Sequence, residues 1–332
     1  MVARIFGRHP TLSVEGRLPP FEGATGWLNS RPLNPEGLHG NVVAVNFCTY
    51  TCINWLRTLP FVRAWAEKYR DYGLVTIGVH TPEFPFEHDA ENVGQSLAAM
   101  HVAYPIALDN DYGVWNAFAN HYWPALYLVD AEGRIRHHWF GEGDYDGSEM
   151  VIQMLLEESS QEGFEQQLVD IEGEGPEAPA DWDHLRSRET YLGYRQATNF
   201  VSPGGAEFNR SAEYRLPADL GMNEWALAGA WTITGDRATS DAPGGRIAFR
   251  FKARDIHLVM GPATVDRGAF RVMLDGDEPG DSAGTDVAAD GAGRFDIPRM
   301  YQLIRQHASI GDRLFEIEFD EPGAEGYAFT FG

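Results

Sequence analysis

The 332-residue sequence predicts two domains, an α/β layer fold followed by an all-β sandwich or jelly roll. Three observations predict this. Across residues 41–156, short apolar β-branched runs alternate with stretches of helical periodicity, the pattern of a layered sheet with parallel pairing. Residues 159–186 are acidic, rich in Gly and Pro and without periodicity, which reads as a linker. From residue 187 onward only strand patterns remain, spaced by Gly, Asp and Pro turns. The domains are therefore placed at 1–158 and 187–332.

The elements follow in order. NVVAVNF (41–47) is a continuous apolar run, a buried strand. CINWLRTLPFVRAWAEKYRDYG (52–73) carries Ile53, Leu56, Leu59, Val62, Trp65 and Tyr69 at helical spacing, and Gly73 ends the pattern. Pro60 is expected to kink this helix. LVTIGVH (74–80) is a second buried strand, and 89–100 is a helix. PIALDN (105–110) is a brief strand and YGVWNAFA (112–119) a short helix. ALYLVDAEGRIRHHWF (125–140) reads as a hairpin turning at 131–133. Residues 149–156 close the unit as a helix. In the second part, GRIAFRFKARDIHLVMGP (245–262) holds two alternating runs. AFRVMLDGDEPG (269–280) adds a strand and a turn, and RLFEIEFDEPGAEGYAFTFG (313–332) two more strands.

Composition excludes several function classes. The formal charge of −23 argues against nucleic-acid binding through a basic surface. A hydrophobic fraction of 43% is that of a globular chain and not a disordered one. No run of ~18 apolar residues occurs, so no membrane insertion is expected. The N-terminus lacks an apolar signal region, so the expected location is cytoplasmic, or extracytoplasmic if a leader has been removed. Two cysteines cannot build a secreted disulfide framework. No metal site or cofactor is expected. His137 and His138 fall on opposite faces of one strand, and no phosphate-binding loop or nucleophile elbow is present.

Those two cysteines, Cys48 and Cys52, lie in NFCTYTCINW (46–55). Cys52 falls where a buried strand turns into a helix. Unpaired N–H groups and the helix dipole favour an anion there, lowering a thiol pKa and raising the thiolate fraction. A thiolate attacks disulfides and peroxides.

The order of elements over 41–156, a cysteine at the first strand-to-helix turn and YWPALYLVD before the last hairpin resemble the thioredoxin superfamily. More narrowly, CTYTCINWLRTLP, GVHTPEF and HYWPALYLVDAEGRIRHHWFGEG resemble the redoxin domain of DipZ and TlpA-like proteins. GGRIAFRFKARDIHLVMGP with YQLIRQ is similar to the carbohydrate-binding-module-like domain that follows it in DipZ. The resemblance implies a cis-proline at Pro124 facing Cys52 and shaping a substrate groove. It also implies Glu83 as a proton acceptor near the cysteine. Three positions depart from the dithiol pattern. Trp55 stands where the second cysteine of C-x-x-C belongs, Asn46 where a buried proton-moving aspartate belongs, and Cys48 where tryptophan is usual.

Two chemistries remain open. Cys52 attacks a protein or small-molecule disulfide and Cys48 resolves it, with an external reductant. Alternatively, Cys52 acts alone on a peroxide, with Thr49 placed as in the T-x-x-C of peroxiredoxins. Tyr50, Trp55 and Trp123 are expected to wall the groove. In the second domain Trp225, Trp231, Tyr301, Gln302 and Arg305 are candidates for gripping a glycan, by stacking and hydrogen bonds to hydroxyls. A reading of a different class makes the sandwich a glycan- or protein-binding module on a redox-inactive scaffold.

Overall fold

The computed structural model describes residues 12–161, 163–263, 267–307 and 309–332. Residues 1–11 of the expected first domain lie outside the described residues. The chain divides into two compact units between Ile171 and Glu172.

The first unit is built on a central strand, β3 (Val42–Cys48), whose seven residues are all buried. Such a strand is covered on both faces, which explains its unbroken apolar run. On one flank β3 pairs in parallel with β4 (Leu74–His80), and β4 in parallel with β5 (Ile106–Leu108). On the other flank β3 pairs antiparallel with β6 (Ala125–Val129), and β6 with β7 (Arg134–Phe140). Two short edge strands complete the sheet: β1 (Gly16–Arg17) on β7 and β2 (Gly26–Leu28) on β5. Neither is long enough to show alternation in the sequence. The order is β1-β7-β6-β3-β4-β5-β2, the mixed sheet of a thioredoxin-like fold.

Five α-helices cover this sheet among the described residues: α1 (Pro35–Leu38), α2 (Ile53–Tyr69), α3 (Ala90–Ala99), α4 (Gly113–Ala117) and α5 (Tyr145–Glu158). Helix α2 runs as one element through Pro60. Helix α5 starts at Tyr145, a turn ahead of the expected boundary. One sheet face packs Phe47 edge-on to Trp115, Phe118 and Tyr127. Burying a ring such as Phe47 stabilises the fold by roughly 2–3 kcal/mol. Between α2 and α5 the buried Glu149 carboxylate accepts from Tyr69 Oη at 2.5 Å, Lys68 Nζ at 2.9 Å and Trp65 Nε1 at 3.2 Å.

The second unit is antiparallel throughout its strand pairs. Strands β8 (Thr190–Tyr191) to β18 (Ala324–Phe331) form two sheets joined through β10 (Trp225–Ile233). The first half of β10 pairs with β12 (Gly245–Lys252), the second half with β9 (Ser211–Tyr214) and β11 (Ala238–Ser240). The strand changes sheet at Gly229, whose φ of +86 suits glycine, and a Cβ there would lie 3.4 Å from Gly245 Cα. Inward residues of both sheets, including Trp225, Trp231, Phe249, Phe315 and Phe329, make one core. This is the sandwich that the alternating runs predict. Phe249 and Phe251 on β12 face that core, whereas Ala248 packs on the other side with Leu220 and Ala226.

Candidate active site at Cys52

Cys52 is the N-cap residue of α2, with extended backbone at φ −74 and ψ 115. Its carbonyl accepts the first helical bond, from Leu56 N at 2.9 Å, and its own N–H donates to Thr49 O at 3.2 Å. The residue is half-buried. The first turn of α2 holds no acidic side chain. Cys52 Sγ lies 3.9 Å from the carbonyl oxygen of Trp123. The Trp123–Pro124 bond is cis, and Pro124 O accepts from Gly141 N at 2.8 Å. The structure therefore brings Cys52, Trp123 and Pro124 together. Trp123 is only partly buried and packs on Trp115 with ring centroids 4.3 Å apart.

Cys48 is placed differently. It ends β3, is wholly buried, and donates its thiol to Val79 O at 3.4 Å. A Cβ at neighbouring Gly78 would make only an ordinary 3.8 Å contact with its sulfur but would lie 2.4 Å from Ile106 Cδ1, so the glycine makes room for Ile106. Burial, with the Glu87 charge beside it, pushes the Cys48 thiol far above the ordinary range. Cys48 thus looks towards β4, whereas Cys52 looks towards the loop that enters β6. The two sulfurs face opposite flanks of β3, and no disulfide joins them.

Three expected groove residues turn out to be core. Trp55 has no exposure and donates its indole N–H to Asn46 Oδ1 at 2.8 Å. Tyr50 has none either, and its ring stacks on His80 at 5.7 Å. Thr49 is buried, with its hydroxyl beside Glu87 and not presented to the groove. These side chains follow a turn whose residues point inward, so only Cys52 meets solvent.

Glu83 is half-buried, and its backbone N–H donates to Glu87 Oε2 at 2.6 Å. The carboxylate sealed beneath the cysteine turn is Glu87, which sequence reasoning missed. Glu87 accepts from Thr51 Oγ1 at 2.6 Å and from Phe84 N at 2.9 Å. Burial raises its pKa, and its hydrogen-bond donors offset only part of that rise. The sequence does carry a signal for it. Pro85 followed by Glu87 is the first-turn pattern in which an acidic residue reaches back to the cap N–H.

In the second unit the expected stacking platform does not form. Trp225, Trp231, Tyr301 and Gln302 are all buried. Trp225 and Trp231 use their indole N–H groups on Thr198 O and Ala228 O, each at 2.8 Å. Tyr301 donates to Ile297 O at 2.8 Å, and the Arg299 guanidinium covers its ring at 3.7 Å. Gln302 meets His257 at 3.4 Å. Arg305 is partly exposed and is held by Asp255 at 3.4 Å and Gly175 O at 3.1 Å. In a two-sheet core the large aromatics fill the interior, and no pyranose can reach them. Among the described residues no group of three His, Cys, Asp or Glu side chains could hold a metal ion, and no helix is long and apolar enough to cross a membrane.

A cysteine at the N-terminus of a helix, beside a cis-proline loop on a mixed sheet, gives the first unit the layout of a thioredoxin-like domain. Residues 187–332 match the family described as "Thioredoxin like C-terminal domain". The chain is 38% identical over 269 residues to Protein DipZ of Mycobacterium tuberculosis, a match covering 79% of this chain and 37% of DipZ. It is 26% identical over 142 residues to the thiol-disulfide oxidoreductase YkuV of Bacillus subtilis, covering 43% of this chain and 95% of YkuV. The solution structure of a thioredoxin-like protein in the oxidized form is 28% identical. That match covers 43% of this chain and 96% of that one, with a TM-score of 0.40. The chain is similar to DipZ proteins and, over residues 187–332, matches the model of a thioredoxin-like C-terminal domain. It spans just over a third of the length of the DipZ proteins it matches.

Proposed function

We propose that this protein is a thiol–disulfide oxidoreductase whose working group is the single thiol of Cys52. The observation that carries the reading is the contrast between the two cysteines. Cys52 sits half-exposed at a helix N-terminus against the cis-proline loop, while Cys48 is sealed under the sheet. Cys52 thiolate attacks one sulfur of a protein or small-molecule disulfide, the S–S bond breaks, and the other sulfur leaves as a thiolate. The product is a mixed disulfide on Cys52. With Trp55 in place of a neighbouring thiol, an external thiol attacks that mixed disulfide and returns Cys52 to the reduced state. The likeness to YkuV, named a thiol-disulfide oxidoreductase, supports the reaction class.

Cys48 is the weaker candidate for the resolving role. To reach Cys52 its sulfur would have to leave Val79 and swing across β3, and burial keeps it protonated. The peroxidase alternative loses its second group, because the Thr49 hydroxyl is buried below the turn and not presented to the groove. Reduced full-length protein treated with a small disulfide, and separately with hydrogen peroxide, tests the reading by intact mass and thiol count. One adduct on Cys52, reversed by added thiol, supports it. Loss of two hydrogen atoms and both thiols would instead establish a Cys48–Cys52 pair. Survival of both thiols would remove the catalytic reading altogether.

A further inference from the structure

The Glu87 carboxylate is buried completely, yet it makes no ion pair with a Lys or Arg among the described residues. Its partners are hydrogen-bond donors from two loops. Oε1 accepts the Thr51 hydroxyl at 2.6 Å, and Oε2 accepts the backbone N–H groups of Glu83 at 2.6 Å and Phe84 at 2.9 Å. One carboxylate thereby ties the turn leaving β3 to the turn leaving β4. Thr51 immediately precedes Cys52. The Cys52 side chain gives α2 no cap bond of its own, so the turn takes its set from Thr51 below and from the Cys52 N–H bond to Thr49 O. Desolvating a carboxylate is costly, and a helix cap alone would be served by a surface Ser or Asp.

We infer that Glu87 is the positioning residue of the Cys52 thiol: by holding Thr51 it fixes the turn that points Cys52 Sγ at the Trp123 carbonyl and the cis-proline loop. The inference rests on the reading of Cys52 as nucleophile. The arrangement works through hydrogen-bond acceptance, which an amide reproduces. In Glu87→Gln the side-chain oxygen faces the two backbone N–H groups, and the amide N–H₂ donates to Thr51 Oγ1.

The test compares the full chain with Glu87→Gln, Glu87→Ala, Thr51→Val and the Glu87→Ala/Thr51→Val double variant. Two native-state rates of Cys52 are measured, one with iodoacetamide and one with Ellman's disulfide, beside each unfolding midpoint. A misplaced attacking atom costs between about tenfold and a hundredfold. Glu87→Ala and Thr51→Val should each slow the disulfide reaction by that amount. The double variant should be no slower than the worse single, and Glu87→Gln should stay within about twofold of the parent. Glu87→Ala reacting at the parent rate, with only its midpoint lowered, would make Glu87 a structural staple and overturn the inference. So would Glu87→Gln as slow as the alanine variant. If Glu87→Ala does not fold, Thr51→Val cuts the same bond, and its unchanged rate would be equally fatal. Parent protein that is alkylated but never attacks the disulfide would sink the oxidoreductase reading instead, and the alkylation rates would still rank the variants.

Discussion

Trp55 donates its indole N–H to the side-chain oxygen of Asn46 at 2.8 Å, deep beneath the first turn of α2. Both residues stand at positions where a dithiol thioredoxin places polar redox machinery, a resolving cysteine and a buried aspartate. Here the two substitutions satisfy each other. An indole needs an acceptor when buried, and a neutral amide supplies one without the cost of a desolvated charge. The Asn46 amide turns its other end to Ala125 O at 3.4 Å. The pair fills the space behind Cys52, and α2 carries no second cysteine.

Restoring the second thiol should therefore have a structural cost. Trp55→Cys removes a wholly buried indole and strands the Asn46 acceptor. Replacement of a buried large side chain by a small one costs about 3–5 kcal/mol. The variant should unfold at lower urea concentration than the parent, yet it should form an intramolecular disulfide with Cys52 on oxidation. A variant as stable as the parent would mean that the Trp55–Asn46 bond contributes nothing.

Cys48 should be silent in the native state. In the parent protein one thiol should react promptly with Ellman's reagent and the second only after denaturant is added. Cys48→Ala should keep the disulfide reaction within about twofold, the range left when no contact to the reacting group changes. Cys52→Ser should abolish it. Failure of Cys48→Ala to release its mixed disulfide, where the parent does, would return the resolving role to Cys48.

The pair Arg57–Glu142 links α2 to the loop beside Pro124 at 2.9 Å, with side chains only 3% and 13% exposed. Burial raises the Glu142 pKa against the pull of Arg57. Removing one partner of a buried pair leaves an uncompensated charge, at about 3–5 kcal/mol. Arg57→Ala should fall in that range by urea unfolding. The Arg57→Ala/Glu142→Gln double variant should recover part of the loss, and strict additivity of the two would deny the coupling.

His80 makes stability fall on the acid side. Its imidazole is wholly buried, and burial lowers its pKa from 6.5 to about 3. The folded form stays neutral while the unfolded chain takes up a proton below pH 6.5. Stability is full above pH 6.5 and declines as pH drops towards 3, by roughly 4 kcal/mol over the window. Glu87, raised by burial, slopes the other way over part of it, so the quantity to measure is a difference. Parent minus His80→Phe unfolding free energies should shrink by roughly 3 kcal/mol between pH 7 and pH 4. Parallel curves would refute the buried neutral imidazole.

Much of the fold was legible in the sequence. The runs at Val42–Cys48 and Leu74–His80 are long, apolar and β-branched, because both faces of a central parallel pair are covered. The edge strands Gly16–Arg17 and Gly26–Leu28 were not, since two or three residues show no period. At the site, the places of Cys52 and Pro124 were legible, the first from a strand-to-helix turn and the second from the resemblance carried by YWPALYLVD. Tyr50, Trp55 and Trp123 were read as one wall, and only Trp123 kept any exposure. Aromatic residues beside a reactive group look alike in a sequence whether they line a groove or fill the core under it.

The sequence by itself determined the alternation of strands and helices, the sandwich after the acidic stretch, and the cysteine at a helix N-terminus. Those follow from periodicity and from chemistry that acts within a few residues. Tertiary structure alone decided which way each side chain of the Cys48–Cys52 turn points. It sent Cys48 towards β4 and Cys52 towards Trp123, gave Trp55 its partner across nine residues, and set Glu87 under a thiol-bearing turn thirty-five residues upstream. The physical reason is that direction and burial depend on which strands flank β3, and that is fixed by pairings between segments remote in the chain.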